Sequence, residues 1–149
     1  MSGRDEDDAV ATALAEFVSI HDKRWSCLDF GGVAQLWEHQ RPLPIYLGDE
    51  YPAPLIGADE LERHWARVSS RIKSASVSST LHAFDVVDEA IVRAVVCSRW
   101  RLTTRESELE RTGASWITWL LVHRGERYRI FHQMESQVYL AGADAAPGR

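Results

Sequence analysis

The chain reads as an α+β domain, with helices first and an antiparallel sheet after them. Three observations point there. The positions Val10, Leu14, Phe17, His21, Trp25 and Leu28 recur at the spacing of one buried helical stripe. From residue 80 onward the chain turns to β-branched and aromatic runs separated by short polar turns. A length of 149 residues with 45% hydrophobic and 26% charged content suits one full-sized core and is too short for two. The expectation is a single domain over 1–149, with 1–8 and 141–149 as flexible tails.

Taken in order, Asp5 to Asp8 set negative charge where a first helix begins, which the helix dipole favours. Gly31 and Gly32 interrupt the stripe. Val33, Leu36 and Trp37 then suggest a short second helix that stops before Pro42 and Pro44, with Asp29 between the two helices. Residues 45–47 fit a brief strand, and 51–54 are too rich in proline for anything but an extended connector framing a pocket mouth. Residues 57–68 read as a third helix, with acids in the first turn and Leu61, Trp65 and Val68 on one face.

Four strands follow. Residues 80–87 form the first and 91–103 the second, around a turn at Asp88-Glu89. In the second, Val92, Ala94, Val96, Ser98, Trp100 and Leu102 share the inner face, while Arg93, Arg99 and Arg101 share the other. Residues 104–111 are a solvated charged loop. The last two strands, 113–123 and 128–140, form a hairpin across 124–127. In the third strand Trp116 alternates with Ile117 and Trp119, so large apolar groups occupy both faces. Val95, Ile117, Trp119, Leu121 and Phe131 are expected on the outer one, where a second copy of the chain would bury them.

Several function classes are excluded on composition. A net charge of −5 without a basic cluster argues against a nucleic-acid partner. No apolar run reaches membrane-spanning length, and the acidic start is unlike a secretion signal, so the expected location is cytoplasmic. Cys27 and Cys97 lack metal or disulfide spacing and read as reduced packing residues. The six histidines show neither HxH nor HExxH spacing, so no metal site is expected.

The order of these elements, with residues 28–37 (LDFGGVAQLW), 57–61 (GADEL) followed by Trp65, and 128–136 (YRIFHQMES), resembles the nuclear-transport-factor-2-like superfamily. Its members include SnoaL-like polyketide cyclases, ketosteroid isomerases and scytalone dehydratases. The resemblance covers roughly nine-tenths of the chain on coarse element matching. It implies a cone-shaped curved sheet with three N-terminal helices packed on its concave face, and commonly a homodimer through the outer face. It also implies a cofactor-free lyase, isomerase or cyclase acting by proton transfer on a small apolar carbonyl compound; the alternative is a non-catalytic ligand-binding or assembly module of the same fold.

Candidate residues follow from this resemblance and from strand alternation. His82 stands where dehydratase-like members carry a strand histidine aimed into the cone, and alternation places it with Phe84 and Val86. An acid on the first helix orients that histidine in those members. Here Asp22 and Asp29 both compete for the role, while Asp29 equally fits a cap on the second helix. His21 lies near the first-helix tyrosine of the isomerases. The isomerases' general-base aspartate, expected around Ile45 or Tyr46, has no counterpart. His132 is expected to face the cavity with Ile130 and Met134, with Gln133 and Glu135 turned away. Trp25, Tyr46, Trp65, Trp100 and Trp116 are the aromatic candidates for a substrate-binding wall.

Overall fold

The computed structural model describes residues 3–138. It contains α1 (Gly3–Ser26), α2 (Phe30–Ala34), β1 (Ile45–Leu47), β2 (Leu55–Ile56), α3 (Ala58–Arg71), β3 (Ile72–Val86), β4 (Ile91–Thr104), β5 (Arg111–Arg124) and β6 (Arg127–Gln137). The strands lie in one curved, unclosed sheet of order β2-β1-β6-β5-β4-β3. All ladders are antiparallel except β1 against β6, so the sheet is mixed rather than purely antiparallel.

The helical stripe behaves as its spacing requires. Leu14, Phe17, Val18 and His21 are the buried residues of α1, and the Phe17 ring meets Trp119 edge-on at 5.5 Å. α1 therefore lies across the concave face. Its start differs from expectation, because residues 3–8 are helical rather than a loose tail. The acids Asp5 and Glu6 in the first turn account for that, since the positive end of the dipole sits there. The expected C-terminal tail, 141–149, lies outside the described residues. β3 also begins earlier than expected, at Ile72 directly after α3. Its first half alternates small serines with Ala75 and Val77, a pattern whose period of two is real but whose hydrophobicity is low.

Two β-bulges decide which residues face the helices. In the β3–β4 ladder, Leu81 pairs with Val96 and Ala83 with Val95, so His82 is an extra residue. In the β5–β6 ladder, Leu120 pairs with His132 and Leu121 with Ile130, so Phe131 is extra. Each insertion reverses the alternation beyond it. On β5 the concave side carries Ile117, Trp119 and Leu121, all buried in the core. These three were expected outside. The outer side carries Trp116, 39% exposed, and Met134, 49% exposed, beside the half-buried Val95, Thr118 and Leu120.

At the rim of the concave face the Trp100 indole covers Gly113, its partner on β5. A Cβ at Gly113 would stand 2.3 Å from the indole ring. Gly113→Ala should therefore displace Trp100 and cost about 1–3 kcal/mol, the usual range for overpacking. Urea unfolding of the two proteins checks this, with an unchanged midpoint as the contrary result.

Candidate functional site

A belt of polar side chains crosses the otherwise apolar concave face. At its α1 end, Asp22 accepts two hydrogen bonds from Ser79 of β3, one from the backbone N–H at 2.6 Å and one from the hydroxyl at 2.7 Å. The same carboxylate lies 3.1 Å from Nδ1 of His21. Side chains one residue apart on a helix do not normally face each other; here Ser79 draws Asp22 towards the sheet. Nδ1–H of the buried His21 donates to the Asp22 carboxylate. Among the described residues Nε2 has no hydrogen-bond partner.

The His21 ring packs edge-on against Trp119 at 5.0 Å, and Trp119 carries the belt onward. Its indole N–H donates to Gln133 Oε1 at 2.8 Å, and the Gln133 amide donates to Glu135 Oε1 at 2.6 Å. Tyr46 of β1 lies within hydrogen-bond distance of two carboxyl groups, Glu135 at 3.0 Å and Glu50 at 2.7 Å. Burial, with the Glu50 charge beside it, raises the Glu135 carboxyl from 4.5 to about 7. Tyr46 is held well above its ordinary 10.0, chiefly by burial, and so remains a neutral phenol.

Beyond Tyr46 the belt reaches α3. The Tyr46 ring lies 4.7 Å from that of His64, whose Nδ1 is 2.7 Å from the Tyr51 hydroxyl. Arg67 donates to the same hydroxyl from Nε and Nη2. Burial, reinforced by the Arg67 charge, lowers His64 from 6.5 to about 4, so the ring is neutral near pH 7.

Between the two ends lies a floor of small residues. Ser79, Ser98 and Ser115 occupy one row across β3, β4 and β5, with Gln137 of β6 next in line. Ser98 lies 3.0 Å from Ser79, whose own proton goes to Asp22, so Ser98 donates. Ser115 accepts from the Trp100 indole at 3.3 Å. Its own proton has no acceptor among the described residues. Ser115 and Glu135 are diagonal neighbours on this face, about 7–8 Å apart for such pairs.

The expected site residues fare unevenly. His21, Asp22 and Tyr46 lie in the belt, and Trp100 borders it. His82 does not face the cone: it is exposed on the outer side, its ring 5.0 Å from that of Trp116. Neither acid reaches it. Asp22 is engaged with Ser79, and Asp29 caps α2 by accepting from the Gly32 N–H at 2.9 Å. Trp116 is likewise outside, and so is His132, which shares that face with Met134. The insertion at Phe131 turns them out and brings Gln133 and Glu135 in. Trp25 and Trp65 pack edge-on at 6.1 Å against each other as core, and the Trp65 indole N–H is buried without a partner among the described residues. Glu135, Gln133 and Ser115 were missed. The one available signal was a glutamate and a glutamine inside an aromatic strand, which strict alternation sends to solvent.

A cleft of about 520 Å³ lies elsewhere, between α2 and α3, lined by Phe30, Ala34, Trp37, Leu61 and Trp65. Among the described residues no group of three or more histidine, cysteine or acidic side chains is placed to hold a metal ion, and no helix is long and apolar enough to cross a membrane.

No protein-family model matches the chain, and no curated protein does. Solved structures do. A candidate scytalone dehydratase from Novosphingobium aromaticivorans superposes with a TM-score of 0.80 at 8% identity, over 91% of this chain and 89% of that one. A candidate dehydratase of the NTF2-like family from Streptomyces avermitilis gives 0.74 at 12% identity, over 89% and 99%. A hexachlorocyclohexane dehydrochlorinase (LinA, type 2) gives 0.71 at 14% identity, over 90% of each chain. At these identities the likeness establishes the fold, an NTF2-like cone.

Glu135 and His64 act on stability with opposite signs. Between pH 4.5 and 7 the folded state holds a proton on Glu135 that the unfolded state has released, so stability falls as pH rises through that window. Between pH 4 and 6.5 the folded state lacks a proton that unfolded His64 binds, so stability rises with pH. The two contributions oppose each other over their overlap. Urea midpoints across this range should fall with pH in His64→Gln and rise in Glu135→Gln, relative to the unmodified chain. Identical profiles in all three proteins would contradict both assignments.

Proposed function

We propose that the protein is a cofactor-free lyase, isomerase or cyclase that moves a proton beside the carbonyl of a small, uncharged, largely apolar molecule held on the concave face. The observation that carries this reading is the Glu135 carboxyl, raised to about 7 among hydrogen-bond partners that fix its position. A base titrating near the operating pH combines a substantial ionised fraction with real proton affinity.

In this reading the Glu135 carboxylate takes a proton from the carbon next to the carbonyl, and the C–H electron pair moves onto the carbonyl oxygen. Ser115 supports the resulting enolate with its uncommitted proton, aimed by the Trp100 indole. Return of the proton to another carbon completes an isomerisation. Departure of a neighbouring hydroxyl, protonated by Glu135, completes an elimination. His21, oriented by Asp22, is the second proton-transfer group. The belt's acids disfavour an anionic ligand, and Arg67 is committed to Tyr51.

The α2–α3 cleft favours a second reading, a ligand-binding module without chemistry, because this space lies outside the belt. In either reading we assign homodimerisation to the outer sheet face, since Trp116 and Met134 leave apolar surface there.

Deuterium uptake from D2O into a panel of cyclic ketones and hydroxy-ketones, followed by NMR, tests the chemistry without needing the physiological product. The unmodified chain should exchange a carbon-bound proton at a rate that rises with pH through about 7. Glu135→Gln should lower that rate roughly 10²–10⁴-fold, whereas His82→Ala should leave it unchanged. Full exchange in Glu135→Gln removes the mechanism. Separately, sedimentation at micromolar concentration should show a dimer that Trp116→Asp dissociates. Only monomer in the unmodified chain rejects the interface.

A further inference from the structure

The Tyr46 phenol has one proton and two carboxyl oxygens within hydrogen-bond distance, Glu50 Oε1 at 2.7 Å and Glu135 Oε1 at 3.0 Å. A phenol can donate to only one of them. If both acids were ionised, the other oxygen would face the phenol oxygen with no hydrogen between them, and two negative charges would meet across one side chain. A second proton resolves the conflict: one carboxyl, protonated, donates to the phenol oxygen while the phenol donates to the other. Glu50 is exposed and Glu135 is mostly out of water, so the proton belongs on Glu135.

We infer that Tyr46 bridges two carboxyl groups sharing one extra proton, and that Glu50, on the segment after β1, is the positioning residue that keeps this proton on Glu135. The inference rests on Glu135 as the base of the site and says what adds to burial in setting its proton affinity. Beyond burial, the other groups around it do not supply the effect. From α3, His64 is neutral near pH 7 and Arg67 stacks on Tyr51 with its charge 5.2 Å from that ring. From β6, Gln133 donates to Glu135 and favours its ionised form. Asp49 acts in the same direction as Glu50 but more weakly. The segment is fitted closely to this task. A Cβ at Gly48 would fall 2.5 Å from both the Tyr46 hydroxyl and the Glu50 carboxylate.

The experiment is a carbon-13 NMR titration of the Glu135 side-chain carboxyl in the full chain, assigned by its loss in Glu135→Gln. The unmodified protein should show a midpoint near 7. Glu50→Gln should lower that midpoint by about one unit, a tenfold change in proton affinity. Asp49→Asn, which removes a weaker neighbouring charge that is not on the phenol, should lower it less. A graded response to two neighbouring charge removals is not what loosened packing produces. A Glu135 midpoint that Glu50→Gln leaves in place overturns the inference, even if Glu135→Gln abolishes exchange. A normal midpoint together with normal exchange in Glu135→Gln removes the base itself.

Discussion

One indole ties the molecule together. Trp119 is fully buried at the centre of the concave face; it packs against Phe17 and His21 of α1 and donates its N–H to Gln133 of β6. The apolar body supplies contact area between helix and sheet, while the single polar atom finds a partner that is itself bonded to Glu135. A buried amide left without such bonds would carry a desolvation cost of a few kcal/mol, about 1–3 by mutational measure. Trp119 thus both closes the core and makes a buried polar chain tolerable. His21 and Asp22 on one side and Glu135 and Tyr46 on the other stand where they do because this ring lies between them.

The belt combines two environments that push titration in different directions. His64 is neutral at neutral pH because it is buried beside a guanidinium, and Glu135 holds its proton longer because it is buried beside other carboxylates. Pairs of this kind separate acid and base roles on one scaffold. The serine row across β3, β4 and β5 is small and polar and offers hydroxyls rather than charges.

Much of the architecture was legible in the sequence. The α1 stripe, the third helix and the four long strands follow from periodicity, and β4's inner residues, Val92 to Leu102, were read correctly as one set. The site was only half legible, for an identifiable reason. A strand's faces are assigned by counting in twos, and one inserted residue at His82 and another at Phe131 break the count. His82 and His132 were accordingly expected inside and Glu135 outside. On β5 the ambiguity was different: both faces carry indoles, so composition alone did not say whether Trp116 or Trp119 was buried. Asp29 illustrates a third kind of difficulty, since the same residue serves a helix cap or a catalytic acid, and only the bond to the Gly32 N–H distinguishes them.

The central claim is that ligand sits on the concave face between Ser115 and Glu135. A crystal structure with a phenol that mimics a cyclic enolate tests it most directly. The account predicts the phenol oxygen within hydrogen-bond distance of the Ser115 hydroxyl, with the ring reaching towards Glu135. Density for the phenol in the α2–α3 cleft, with the serine row left empty, would contradict it.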